Sequence, residues 1–264
     1  MKLVTIGGPM FAGKTQKLVE QYKVTLKNYL EEIDERYKHI SIEDFDHENI
    51  NLKELGLENK ILAFTPKRDN RNGIGRIEGR NKVGLDAIAI ESIFEIEKYL
   101  NDETEHILID ETNFLESEVD LERGITNDEL NKRRVKSMIY LRHLTDERRI
   151  NVNLFGVYLT AEMQPYALMG VAPYFAHERI YLTSICVGCQ KEAEHTYFIP
   201  QKRDITKNYI GDEAYCPTCH VCHNKWSQKY IKDKEENNLS DYFKEAKKLK
   251  LVPQKLENNK ILNK

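Results

Sequence analysis

Eight residues near the N-terminus constrain this chain more than any other feature it has. Gly8-Pro9-Met10-Phe11-Ala12-Gly13-Lys14-Thr15 fits the pattern G-x-x-x-x-G-K-[ST]. Glycine at the first and sixth positions lets the backbone curl until successive N–H groups point inward at phosphate oxygens. The lysine reaches the β- and γ-phosphates, and the threonine hydroxyl ligates Mg²⁺. Such a loop needs a strand before it and a helix behind it, and both are legible. Lys2-Leu3-Val4-Thr5-Ile6 is a short apolar run. Leu18, Tyr22, Leu26, Tyr29, Leu30 and Ile33 recur at helical spacing, which predicts a helix over about 14–37. Its positive N-terminal end adds to the attraction for phosphate. ATP and Mg²⁺ are therefore the expected ligands of Gly8, Pro9, Met10, Phe11, Ala12, Gly13, Lys14 and Thr15.

The rest of the chain supplies a sheet for this unit. Strand candidates follow at 60–64 (stopped by Pro66), 87–90, 106–111, 152–159 and 180–185, with helical patterns at 93–100 and 127–146. The stretch 69–82 has glycines, arginines and no apolar period, and reads as a loop. The acidic 41–58 stretch reads as a short helix or an ordered excursion. Strands alternating with helices predict an α/β fold, a P-loop NTPase-type parallel sheet flanked by helices. His106-Ile107-Leu108-Ile109 ends in Asp110 and Glu111. Behind a phosphate loop, an acid at that point supports Mg²⁺, and a carboxylate beside it is placed to orient or deprotonate an attacking hydroxyl. Neighbouring strand residues face opposite ways, so both serve one site only where the strand is ending.

The texture changes near 184. Five cysteines, Cys186, Cys189, Cys216, Cys219 and Cys222, crowd into one stretch. An odd, clustered set does not make a disulfide framework and reads as a metal site with one cysteine over. One C-x-x-C pair and a second about thirty residues on suit a closed tetrahedral Zn²⁺ site. The first pair is Cys186 and Cys189. The second is Cys216/Cys219 or Cys219/Cys222, with His220 and His223 as further candidates. A small C-terminal zinc-binding lobe is expected, structural in role because four thiolates leave no open position.

Composition then excludes some classes. With 264 residues, 40% apolar and 31% charged, a packed core is expected, in one large domain or two small ones. Lys+Arg of 40 against Asp+Glu of 43 gives a net charge of -3, which argues against a protein that grips duplex DNA, so a nucleic-acid partner is not expected. The charge is uneven: 225–264 holds eleven lysines against six acids, as a solvated helix would. Nothing resembles a signal peptide or a transmembrane helix, so a soluble, cytoplasmic protein without a membrane partner is expected.

Beyond these readings, the motifs resemble one known family, the tetrameric, zinc-containing type II thymidine kinases. The Pro-Met-Phe insert in the phosphate loop looks like that family's version. Phe64-Thr65-Pro66-Lys67-Arg68-Asp69-Asn70-Arg71 is similar to its F-x-P-x-x-D-x-R segment, and Asp110-Glu111-Thr112-Asn113-Phe114 to its D-E-A-Q-F segment. Cys186-Val187-Gly188-Cys189, then Ala193 and Thr196, resembles its first zinc knuckle. Ile210-Gly211 to Tyr215 and Cys219-His220-Val221-Cys222 resemble its substrate-gripping loop and second knuckle. The motifs keep the family's order from Met1 to about Cys222.

The resemblance implies ATP-dependent phosphorylation of a deoxynucleoside, thymidine or a related pyrimidine, at its 5′-hydroxyl. It implies Glu111 as general base, Asp110 in support of the metal, and Lys14 and Arg71 stabilising the transferring phosphoryl group. It places Phe114, Thr160, Tyr166, Thr196, Tyr209 and Tyr215 at the nucleoside, selects Cys186, Cys189, Cys219 and Cys222 for zinc, and implies a homotetramer. The chain reads as a nucleotide-binding domain at 1–183 with an insertion at about 24–59, a zinc and substrate-loop lobe at 184–225, and a lysine-rich helical tail at 226–264 for which the family has no counterpart. The chain departs from the family within Gly156-Val157-Tyr158-Leu159-Thr160-Ala161, with Tyr158 where the family has Asp and Ala161 where it has Phe. Phe198 stands where a basic residue is usual. These departures, with the insertion and tail, motivate a competing expectation: a nucleotide-binding regulatory protein that has lost nucleoside turnover.

Overall fold

Six strands pair into one parallel sheet. In chain order the strands are β1 (Leu3–Gly7), β2 (Ile61–Pro66), β3 (Arg76–Glu78), β4 (Gly84–Asp86), β5 (Ile88–Ile90), β6 (His106–Ile109), β7 (Asn151–Gly156) and β8 (Glu178–Tyr181). The sheet runs β5-β2-β6-β7-β1-β8, with every neighbouring pair parallel. Its inner strands are apolar almost throughout because helices cover such a sheet on both faces. These helices are α1 (Lys14–Ile33), α2 (Asn127–Asp146) and α3 (Ala167–Phe175). Phe64, Ile107, Ile109, Val152 and Leu154 from the sheet pack with Met138, Leu141 and Leu144 of α2 and Leu168 and Met169 of α3.

This computed structural model describes residues 1–117, 124–199, 214–236, 238, 239, 241, 242 and 245. The chain divides into two compact units. The first holds Met1–Gly7, Gly13–Tyr158 and Pro165–Tyr181, and so the whole parallel sheet. The second holds Gly8–Ala12, Leu159–Gln164 and the chain from Leu182 onward. It contains two antiparallel pairs, β9 (Ser184–Ile185) with β10 (Glu192–Ala193) and β11 (His195–Phe198) with β12 (Tyr215–Thr218), and helix α4 (His220–Glu235). Its small core joins Val187, Tyr197, Ile199, Cys216 and Tyr242, with Trp226 and Tyr230 against them. No helix among the described residues is long and apolar enough to cross a membrane.

Several expected boundaries move, each for a local reason. α1 stops at Ile33, not near 37, because Asp34 turns extended and its carboxylate accepts the Arg36 amide to start a separate 3-10 turn, Glu35–His39. The 41–58 stretch forms turns, anchored by buried Phe45, His47 and Leu57; His47 Nε2 lies 2.8 Å from the Gly84 carbonyl oxygen. The 69–82 stretch is not all loop. β3 begins within it and pairs with β4, burying Ile77 opposite Leu85. β7 ends at Gly156 rather than 159. The single strand read at 180–185 is two, β8 in the first unit and β9 in the second. α2 spans the expected 127–146, closed at its start by a reciprocal capping box of Thr126 and Glu129.

Candidate active site

In the first unit β2 and β6 are neighbours, β7 separates β6 from β1, and the carboxyl ends of these parallel strands share one edge of the sheet, the edge where ligands of open parallel sheets bind. Gly13 adopts φ 79°, a left-handed conformation that a side chain disfavours, and its carbonyl accepts the Lys17 amide at 2.9 Å to open α1. Lys14 is 8% exposed. Thr15 Oγ1 donates to Asp110 Oδ2 at 3.1 Å. β6 ends at Ile109, and Glu111 turns left-handed at φ 44°. That turn removes the alternation a continuing strand would impose. It lets Glu111 Oε1 accept from Arg71 Nη2 at 2.7 Å while Asp110 bonds Thr15. Asp69 holds the other edge of Arg71, through Nε at 2.7 Å and Nη2 at 2.8 Å. Lys14, Thr15, Arg71, Asp110 and Glu111 are thus brought into one cluster, with Asp69 as a member that sequence reasoning left without a role.

The electrostatics follow from burial. Desolvation pushes the Asp110 carboxyl up to about 7, and the neighbouring Glu111 charge adds to the shift. Burial pulls the Lys14 ammonium below its ordinary value, against the pull of Glu111 and Asp110. Burial also works against the Arg71 charge, but Asp69 and Glu111 outweigh it and raise its pKa. A buried carboxylate and a hydroxyl at one point form a hard oxygen donor set, and a divalent cation there would favour the ionised Asp110. The residues present fit Mg²⁺.

The turn after Glu111 fixes the next expected residue. Phe114 meets Tyr166 edge to face at 6.1 Å between ring centroids, and the Arg68 guanidinium lies 5.4 Å from the Phe114 centroid. Asn113, where the family has Gln, accepts the Val157 amide at 2.8 Å and so ties this turn to the end of β7. Glu116, which no sequence motif marks, is buried. It accepts from Ser92 Oγ at 2.9 Å and pairs with Arg133 of α2 at 3.3 Å. Tyr158, the departure from the family's Asp, lies against Gly7, donates to Thr5 Oγ1 at 3.0 Å and stacks on Tyr181 at 5.7 Å.

The second unit holds the remaining expected residues. Gly8, Pro9, Met10, Phe11 and Ala12 belong to it. Thr160 closes a turn, its amide donating to the Gln164 carbonyl at 2.8 Å. Thr196 accepts the Met10 amide at 2.9 Å, and Tyr215 packs on Phe198 at 5.3 Å between centroids. Tyr209 lies outside the described residues. The ligating sulfurs of Cys186, Cys189, Cys219 and Cys222 all lie within 4.8 Å of one another. That spacing suits four thiolates around one Zn²⁺ at about 2.3 Å each, so these residues fit the metal. Burial resists ionisation of Cys219, but the Cys222 amide and neighbouring thiols outweigh it and bring its pKa to about 7. Cys216 stands apart, buried opposite Tyr197 in the β11–β12 pair. His223 is turned to the Ala161 carbonyl at 2.9 Å, and neither it nor His220 joins the sulfur cluster.

The chain is similar in sequence to known proteins. The family model for thymidine kinase matches residues 47–133, which include the Arg71 and Glu111 segments. The thymidine kinase of Pseudothermotoga lettingae is 25% identical over 232 residues, covering 86% of this chain and 97% of its own length. That of Roseiflexus sp. is 23% identical, over 84% of this chain and 94% of its own. The thymidine kinase of Ureaplasma parvum is 26% identical over 259 residues, covering 94% of this chain and 93% of its own. A span of that extent reaches into the lysine-rich 226–264 segment.

Proposed function

We propose that the chain is a divergent member of the thymidine kinase family and that it transfers the γ-phosphoryl group of ATP to the 5′-hydroxyl of a deoxynucleoside, thymidine or a related pyrimidine. The observation that carries this reading is the single cluster of Thr15–Asp110 and Glu111–Arg71–Asp69 at the carboxyl edge of the sheet. The phosphate loop, residues Gly8 to Thr15, holds the triphosphate, with Lys14 neutralising charge on its terminal groups. Glu111 accepts the proton of the nucleoside hydroxyl as that oxygen attacks the γ-phosphorus. The bond from phosphorus to the bridging oxygen breaks, and ADP leaves with the electron pair. Arg71 stands beside Glu111 and meets the charge gathering on the transferring oxygens. Mg²⁺, held by Thr15 and Asp110, would neutralise the phosphate oxygens.

Phe114 and Tyr166 flank the nucleoside in this reading. The roles of Thr160, Thr196, Tyr209 and Tyr215 at the base and the homotetramer rest on the resemblance, and a cytoplasmic location belongs to the same proposal. Zn²⁺ on Cys186, Cys189, Cys219 and Cys222 serves the fold. A panel of deoxynucleosides incubated with labelled ATP tests the proposal. Monophosphate is expected from thymidine or a related pyrimidine. Nucleotide binding with no product from any nucleoside would overturn it. Glu111→Gln is expected to lower kcat at least about 100-fold while ATP still binds, the usual scale for a lost general base. A near-normal kcat would remove Glu111 from that role.

A further inference from the structure

The front half of the phosphate loop is fastened to the lobe that carries the four thiolates. Three contacts within the second unit do this. Gly8 lies so close to the 182–184 segment that a Cβ there would fall 2.2 Å from the Leu182 carbonyl oxygen. Met10 donates its amide to Thr196 Oγ1 at 2.9 Å. Ser184 Oγ donates to the Phe11 carbonyl oxygen at 3.1 Å. Phe11 sits at φ 67°, a left-handed conformation that its Cβ disfavours. A hydrogen bond on its carbonyl therefore selects one of two orientations for the Phe11–Ala12 peptide. That peptide's N–H is among those a phosphate loop aims at its ligand.

The fastening residues stand next to the metal site in sequence and register. Ser184 precedes Cys186 by two residues. Thr196 pairs with Pro217 across β11 and β12, two residues before Cys219. Thr196 is already assigned to the base by resemblance; Ser184 is not part of any motif recognised above. We infer that Ser184, together with Thr196, is a positioning residue for the nucleotide: it presets the phosphate loop, and through it the thiolate lobe governs ATP affinity. The inference rests on the reading that this loop binds nucleotide phosphate. Presetting acts on the affinity for nucleotide, because the ordering is done before the ligand arrives. It leaves nucleoside affinity alone.

The experiment measures ADP binding by calorimetry on the full chain, with steady-state kinetics alongside. Ser184→Ala is expected to weaken ADP binding and raise the KM for ATP by about fivefold to tenfold, the scale of one lost hydrogen bond. The KM for nucleoside, the zinc content and the thermal midpoint should stay within about twofold or a few degrees of the parent values. Ser184→Thr keeps the hydroxyl and is expected to restore ADP affinity. Stripping zinc with a chelator should weaken ADP binding at least as much as Ser184→Ala does. Unchanged ADP affinity in Ser184→Ala would overturn the inference, as would equal losses for ADP and nucleoside with a lowered midpoint. A parent protein that binds no ADP would instead overturn the proposed function.

Discussion

Arg71 shows how much a single side chain can be asked to do in this cluster. Its planar fork spends Nε and Nη2 on Asp69 and shares Nη2 with Glu111. Asp69 therefore sets the plane of the guanidinium, and that plane sets where Glu111 points. Asp69→Asn keeps the size and loses one charge and one acceptor. Expected is a fall in kcat of about tenfold to 100-fold, as for misorientation of a positioned group, with the KM for nucleoside little changed. A full kinetic comparison with the parent checks this, and a change confined to KM would show that Asp69 does not orient the catalytic pair. The motif residues Lys14, Thr15, Asp110 and Glu111 were legible because each stands at a fixed offset from a strand end or a glycine. No role for Asp69 or Glu116 is legible in the sequence. Glu116's value depends on Ser92 and on Arg133, partners far away in the chain.

Elements were legible where one local signal sufficed and hidden where tertiary packing decided. α2 has a capping box at its start and buries Leu130, Met138, Leu141 and Leu144, the apolar residues whose helical spacing marks its span in the sequence. β3 and β4 each contribute one buried apolar residue, Ile77 and Leu85, too few to make a period. α3 carries Pro173 inside it, which sequence rules read as a break. β6 holds a further consequence of packing. His106 at its start is partly buried, with Tyr29 edge-on at 6.2 Å and Glu105 beside it. Burial pulls its pKa below the ordinary 6.5, with Glu105 acting the other way. Its folded pKa thus lies below its unfolded one, so the unfolded chain takes up the proton first. The stability contributed by neutral His106 is complete above about pH 6.5 and is lost as the pH falls from there toward the lowered folded value. Urea unfolding at pH 7.5 and 5.5 checks this. His106→Gln should shrink the difference between the two pH values, and an unchanged difference would remove His106 as its source.

At the scale of the whole molecule, the two units differ in what holds them. The first has a six-stranded sheet with helices packed on it and a core drawn from every strand of that sheet except β8. Among the described residues, the second relies on a few aromatic and apolar residues around Tyr197 and Tyr242, whose hydroxyls meet at 2.7 Å, and on four clustered cysteine sulfurs. A core that small does not support a lobe unaided, and metal binding then becomes part of its folding free energy. Removing zinc should therefore unfold the second unit and spare the first. The chain supplies its own reporter: it has one tryptophan, Trp226, and that residue packs against Tyr242 in the second unit. On chelation, Trp226 emission should shift to the red while the helical circular dichroism of α1 and α2 largely persists. Calorimetry should show the parent's lower transition lost and the upper one kept. Re-adding Zn²⁺ should restore the emission. If Trp226 emission holds steady while metal analysis shows the zinc gone, the thiolate cluster is not what keeps this lobe folded.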